Sequence, residues 1–398
     1  YAYRPNISID GAGNMHVVWI DSNLQSGKRD IYYTKLDDSG NTIIPSKKIT
    51  DTSYSNGTIG NDLSIAINEE GVHLVWNAYY GSYYTAMVYT RLDLAGNKVI
   101  EDVNLNYFNI YSISELEVDS SGNLHVVYTY VPGGGSYHEE VYYIKFNSSG
   151  IKLLGPIALS SVTADSYSPT LFVDAKDLVH VAWVVRPTVW DYSRKIVYSR
   201  LDSNGTILIS KAELVPLGAW YTSYDAPRLA VDLNDSIHLT YAGWVYSQMH
   251  YEYKKFDSNL TNIEGTWNGG NALVTDGLNY PHILSVSDAP AYTLSYLKPF
   301  GTPFYPSYSV ALGITGTFPQ SPEMALDKTN SPHAVWTDNR TGKQQVYYKR
   351  QTFKPIMLVH GIYGDDTTWN TMIPTLYANG ILPLRVGELL GQKGLVPN

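Results

Sequence analysis

The sequence contains no cysteine, which excludes disulfide frameworks, thiol catalysis and zinc sites of the cysteine type. Charge is also sparse: Asp, Glu, Lys and Arg make up 16% of the 398 residues, against about 25% in an average soluble domain. The 28 Lys and Arg are scattered singly and the net charge is −9. A phosphate-binding face needs clustered bases, so nucleic acid is excluded as a partner. No run approaches the ~18 consecutive apolar residues of a spanning helix, so no transmembrane segment is expected. In place of these features the chain carries 35 Tyr and 9 Trp.

An internal period organises the chain. Pro5 to Trp19 (PNISIDGAGNMHVVW) is echoed by SELEVDSSGNLHVVY, PTLFVDAKDLVHVAW, PRLAVDLNDSIHLTY and PEMALDKTNSPHAVW. The copies centre on His16, His73, His125, His180, His238 and His333, with Tyr292 taking the equivalent place in a degraded sixth copy. Units of about fifty residues match the period of propeller blades. Within each unit an alternating run ends at an Asp, a Gly/Asn turn follows, and then a His-Val-Val-Trp strand. A Tyr-rich third strand and a fourth apolar strand complete it. Such a unit is a four-stranded antiparallel meander, apolar on both faces because neighbouring blades cover both. The sequence therefore predicts an all-β fold: a seven-bladed β-propeller of four-stranded antiparallel blades over residues 1–352, followed by a short C-terminal α/β segment over 353–398.

Some residues recur in most copies: Asp six positions before the His (Asp10, Asp119, Asp174, Asp232, Asp327), and a cation in the third strand (Lys35, Arg91, Lys145, Arg200, Lys255, Arg350). A residue needed by every blade reads as structural, the Asp capping its turn and the His satisfying buried hydrogen bonds. Turns such as Asp37 to Asn41 offer oxygen atoms but lack the spaced carboxylates of a calcium loop, so no metal or cofactor is expected. The unit D-x-x-G-N-x-H-V-V-W followed by I-Y-Y-x-K-L-D resembles the sialidase-like, Asp-box-type propeller repeats of secreted bacterial and archaeal proteins. That family uses an arginine cluster, a Tyr nucleophile with a Glu partner and a general acid, a set with no unique match among these repeated cations.

Aromatics concentrate in the loops joining strands two and three and in those joining blades, which share one face of a propeller. The candidate ligand-binding residues are Tyr79, Tyr80, Tyr137, Trp190, Tyr192, Trp220, Tyr221, Tyr224 and Trp244. Exposed Tyr and Trp offer rigid contact area with a polar handle, suited to sugar rings or a protein surface. The leading expectation is thus a non-catalytic recognition propeller binding glycan or a surface protein. The alternatives are a structural surface protein that self-assembles into a filament or layer, and a sialidase-like glycosidase or an esterase completed by residues outside this sequence.

After Arg350 the grammar changes. Pro355 to Gly364 (PIMLVHGIYG) reads as a buried strand and Gly loop, and Asp365 to Gly380 as a capped helix. This segment resembles the opening of the lipase and esterase domains of α/β-hydrolase fold. The resemblance implies an oxyanion-hole-like loop at His360, Gly361, Ile362 and Tyr363. No Gly-x-Ser-x-Gly elbow occurs in the sequence, so it carries no complete catalytic set. The alternative for this tail is structural: Ile356 to Val359 closing blade seven as its missing outer strand. The chain begins at Tyr1 directly in a strand pattern, as a mature or trimmed chain would. Seven acceptor sequons, at Asn6, Asn56, Asn147, Asn204, Asn234, Asn259 and Asn339, point with the absent cysteine to an extracellular or cell-surface glycoprotein.

Overall fold

The computed structural model describes the chain apart from residues 24–27, 51–56, 81–83, 109, 132–137, 162, 188–193, 217–223, 246–247, 288–292, 299–307, 313–318, 352–353, 359–380 and 386–398. The described residues form seven antiparallel sheets, each a simple meander in chain order, and one separate pair of strands. Blades one to six have four strands each, and blade seven has three: Gln320–Leu326, Pro332–Asp338 and Gln345–Arg350. This is the seven-bladed propeller expected from the repeats.

Seven apolar clusters hold it together, packed between neighbouring blades. Val18 and Tyr33 of blade one meet Val72 and Trp76 of blade two in the first of them. The ring closes where Met15 and Val17 of blade one pack on Val335, Val346 and Tyr348 of blade seven. The inner strands of the blades are thus buried on both faces, which is why they do not alternate apolar with polar residues.

Beneath each core runs a repeated polar relay. The Asp that ends the first strand caps its own turn: Asp10 Oδ1 accepts from the backbone N–H of Ala12 and Asn14 at 3.0 and 2.8 Å. Its other oxygen lies 3.1 Å from His16 Nε2, and His16 Nδ1 lies 2.9 Å from the Tyr33 hydroxyl. A carboxylate only accepts, so Nε2 carries the proton and the phenol donates to Nδ1. The same three-residue chain recurs at Asp119–His125–Tyr143, Asp174–His180–Tyr198, Asp232–His238–Tyr253 and Asp327–His333–Tyr348. In blade two Asn68 replaces the Asp, at 2.9 Å from His73 Nε2. Third-strand cations complete it, with Lys35, Lys145, Lys255 and Arg350 each 2.8–3.3 Å from the Asp. The structural role expected of these recurring residues holds.

One assignment requires correction. The sixth relay is centred on His282, bonded to Asp276 at 3.0 Å and to Tyr296 at 2.6 Å, and not on Tyr292. Tyr292 lies outside the described residues. Blade six has a shortened second strand, Pro281–Val286, which spoils the His-Val-Val-Trp pattern while keeping the Asp-to-His spacing of six.

Among the described residues of the tail, Lys354–Leu358 pairs in parallel with Ile381–Arg385; Val359, the last of the residues expected to close blade seven, lies outside the described residues. The helix expected between them, and His360, Gly361, Ile362 and Tyr363, lie outside the described residues.

Candidate functional site

The first strand of every blade faces the propeller axis. Pairing with the His strand fixes equivalent positions. Ser8, Ala66, Glu117, Phe172, Ala230, Val274 and Ala325 each sit opposite the relay His. Two residues earlier, on the same face of the strand, stand Asn6, Ser64, Glu115, Thr170, Arg228, Ala272 and Glu323. Most members of this ring are small or neutral, and the three charged ones meet. Arg228 lies 3.0 Å from Glu323 and 3.8 Å from Glu115. Blades three, five and seven are not neighbours, so this contact crosses the axis and plugs the channel. Glu115 is held further by the Thr170 hydroxyl at 2.9 Å and the Leu171 N–H at 2.5 Å.

The plug divides the channel into two chambers. The upper one, of about 640 Å³, is lined by Arg4, Asp62, Glu139, Tyr167, Tyr251 and Glu323 among others. The lower, of about 450 Å³, has mostly apolar residues along its wall, with Glu117 set among them. At the upper rim the first strands are bulged, and Arg4, Ser168 and Ser321 take left-handed backbone (φ 51°, 50° and 47°) just before Pro5, Pro169 and Pro322. Non-glycine residues rarely sit there, and such strain together with bulges collects at functional sites.

Chemistry-bearing groups converge on the wall between blades three and four. Arg194 Nε–H donates to the Tyr167 hydroxyl at 2.6 Å. Asp165 accepts from the Glu139 N–H at 2.8 Å and pairs with Arg186. Burial raises the Tyr167 phenol above its ordinary value despite the lowering by Arg194, so it is a neutral proton donor at neutral pH. Burial likewise pushes Glu139 up to about 7, with Asp165 adding to the effect. Across the chamber burial also raises Asp62, which accepts from Asn77 at 3.0 Å and from the Ile113 N–H at 3.1 Å. Arg4 is exposed at the mouth and donates no hydrogen bond to a described residue. The site thus offers a half-buried phenol beside a guanidinium, a carboxyl group that ionises near neutrality, and a cation open to the chamber mouth.

Tyr79 is half-buried at the end of the second strand of blade two, whose first strand carries Asp62. Tyr80, Tyr224 and Trp244 fall in strands. Tyr137, Trp190, Tyr192, Trp220 and Tyr221 lie outside the described residues. Among the sequons, Asn6 lines both chambers of the channel. Asn147 caps its own turn, accepting from the Ser149 and Ile151 N–H groups. Asn204, Asn234, Asn259 and Asn339 stand in or beside the blade turns, and Asn56 lies outside the described residues. Among the described residues no helix is long and apolar enough to cross a membrane.

The channel carboxylates also set a pH dependence of stability. Burial pushes Glu115 up to about 7; burial and the neighbouring Glu115 charge push Glu117 up to about 8. The folded state therefore holds protons that the unfolded chain releases near its ordinary value of about 4.3, and stability falls as pH rises through that window. Glu117→Gln is expected to melt higher than the wild type near pH 9 and no higher near pH 4. An equal change at both pH values would show that Glu117 is not a buried acid.

No family model matches the sequence, and no curated protein matches it. Solved structures do match the fold. The polysaccharide lyase Uly1 superposes with a TM-score of 0.57 at 10% identity over 87% of this chain and 88% of its own. An ulvanlyase of family PL25, bound to -[GlcA(1-4)Rha3S]-, gives 0.48 at 13% identity, covering 78% and 79%. The NanB sialidase of Streptococcus pneumoniae gives 0.43 at 12%, covering 84% and 65%. The expectation of a non-catalytic recognition propeller does not survive this comparison. The structural neighbours are mostly carbohydrate-active enzymes, arabinanases and a glycoside hydrolase among them. Identities near 10% carry the fold alone, so the chemistry rests on this chain's own residues.

Proposed function

We propose that the protein is an extracellular carbohydrate-active propeller whose upper axial chamber cleaves an acidic polysaccharide by β-elimination. The observation that carries this reading is the pairing of Tyr167 with Arg194 in the same chamber as Glu139. Elimination from a uronate needs three things: a cation on the sugar carboxylate, a base for the adjacent C–H proton, and an acid for the departing glycosidic oxygen. Arg4 at the mouth supplies the cation. Glu139, about half ionised near neutrality, takes the proton. The electron pair of the broken C–H bond forms the new C=C bond as the C–O bond breaks. Tyr167 gives its proton to the leaving oxygen, and Arg194 stabilises the phenolate that remains. Uly1, which shares the fold at a TM-score of 0.57, is a polysaccharide lyase, and this supports the same class of reaction.

The test is incubation with uronic-acid polysaccharides while following two signals, new reducing ends and the ultraviolet absorbance of an unsaturated uronate. Elimination produces both. Reducing ends without the new C=C bond would mean hydrolysis, for which Glu139 and Asp62 are the available carboxyl pair. Neither signal on any acidic or neutral polysaccharide would overturn the proposal.

A further inference from the structure

The chamber below the plug has a chemistry of its own. All seven blades contribute their first strands to its wall, from residues 6–8 of blade one to residues 323–326 of blade seven. Paired strands, and not loops, therefore set its shape. Its volume of about 450 Å³ lies within the range of small-molecule sites. Ile67, Val118, Thr275 and Leu326, the last lining residues before the blade turns, are partly exposed, so the chamber opens to solvent at the turn face.

Much of the wall is apolar, with Ala66, Ile67, Phe172, Val274, Met324 and Leu326 among its residues. The charged groups that face the chamber are Glu115, Glu117, Arg228 and Glu323. Arg228 is committed to Glu323 at 3.0 Å and to Glu115 at 3.8 Å. Glu117 stands apart from that contact: it accepts from the Val118 N–H, and among the described residues no cation pairs with it. The His125 imidazole, in the strand behind, has both nitrogens engaged, by Asp119 at 3.1 Å and Tyr143 at 2.9 Å. Three carboxyl groups thus share one guanidinium, and the chamber is complementary to a further cation. Phe172 holds the same register position in the neighbouring blade as Glu117 does in its own, each opposite a relay His. A hard metal ion fits poorly, since calcium takes six or more oxygen ligands and no cluster of three His, Asp or Glu among the described residues could hold one.

We infer that the lower chamber binds a small aliphatic ammonium ion, its charge on the Glu117 carboxylate and beside the Phe172 ring, its hydrocarbon body along the apolar wall. The inference is independent of the chemistry assigned to the upper chamber. Binding must also move a proton. Burial and the Glu115 charge hold Glu117 protonated up to about pH 8, so an ammonium that pairs with it drives its ionisation, and the proton passes to solvent.

The test is calorimetric titration of the 398-residue chain with hexylammonium chloride near pH 7, in two buffers of different ionisation enthalpy. Saturable binding is expected, with release of about one proton per ligand. Affinity should rise with pH until about 8, where Glu117 is already ionised. Glu117→Gln keeps the shape of the side chain and is expected to bind about tenfold or more weakly, with no proton released. Glu139→Gln, which alters only the upper chamber, should bind as the wild type does. Hexanol and hexanoate match the body without the charge, and glucosamine hydrochloride matches the charge without the body. All three are expected to bind about tenfold or more weakly than hexylammonium. The proton release is read on the unaltered chain, so the test does not depend on how a variant folds. Binding without proton release, no saturable binding of hexylammonium, equal binding by Glu117→Gln, or equal binding of hexanol or glucosamine would each overturn the inference.

Discussion

Tyr167→Phe is expected to lower kcat/KM on an acidic polysaccharide by about 10²–10⁴, with the melting temperature nearly unchanged. The substitution removes the proton destined for the leaving oxygen and leaves the ring in place. The loss should appear in kcat more than in KM, because the phenolate that Arg194 stabilises exists only as the bond breaks. Glu139→Gln should cost a similar factor and, in addition, change the pH profile. A base must be ionised, so wild-type kcat/KM is expected to climb as pH rises through about 7, the range to which burial has moved Glu139. In the Gln variant that limb should vanish. A variant that keeps both its rate and its rising limb would remove Glu139 from the reaction and leave the base to be sought elsewhere in the chamber.

The largest loss of stability is expected from Asp119→Ala. Its carboxylate is 2% exposed and joins His125 at 3.1 Å, Lys145 at 2.8 Å and the N–H groups of its own turn. Removing it strands a buried ammonium and a buried imidazole N–H, a loss of about 3–5 kcal/mol, to be read from the midpoint of chemical denaturation. Asp119→Asn should cost less, since blade two already runs its relay on Asn68. The difference between wild type and Asp119→Ala should also depend on pH. Burial alone would raise this carboxyl, but hydrogen bonds from His125 and Lys145 outweigh it and hold the group far below its ordinary value. The contribution is therefore complete above about pH 4, where the unfolded carboxyl ionises, and is lost as pH falls toward the folded value. A constant difference down to strongly acid pH would mean that the relay does not hold Asp119 ionised.

The architecture was legible because a propeller repeats the same local solution. Each Asp-turn-His spacing marks a hairpin, and six of them, with the Asn68–His73 hairpin of blade two, fix the blade number whatever happens in the loops. Even the sixth copy carries its mark: Asp276 and His282 keep the spacing of six seen at Asp10 and His16. The His-Val-Val-Trp pattern points to Tyr292 instead, since Pro281 and the short second strand removed the pattern but not the relay. Glu115, Arg228 and Glu323 stand in the aligned repeats as SELEVD, PRLAVD and PEMALD. Their signal is a departure from the common unit at a strand position other copies fill with Asn, Ser, Thr or Ala. It is a quieter signal than the large aromatics of the variable loops.

Whatever depends on neighbours along the chain could be read from the residues alone: strand periodicity, turn capping and the His–Asp spacing. Which residues meet across the axis could not, because only closure of the ring brings them together. Glu115, Arg228 and Glu323 belong to three blades that do not touch along the ring, and Tyr167 reaches Arg194 from 27 residues away. Closure brings these charges together inside the channel, partly withdrawn from solvent. There burial raises the carboxyl groups toward neutrality, and a set of ordinary side chains becomes an acid, a base and a plug.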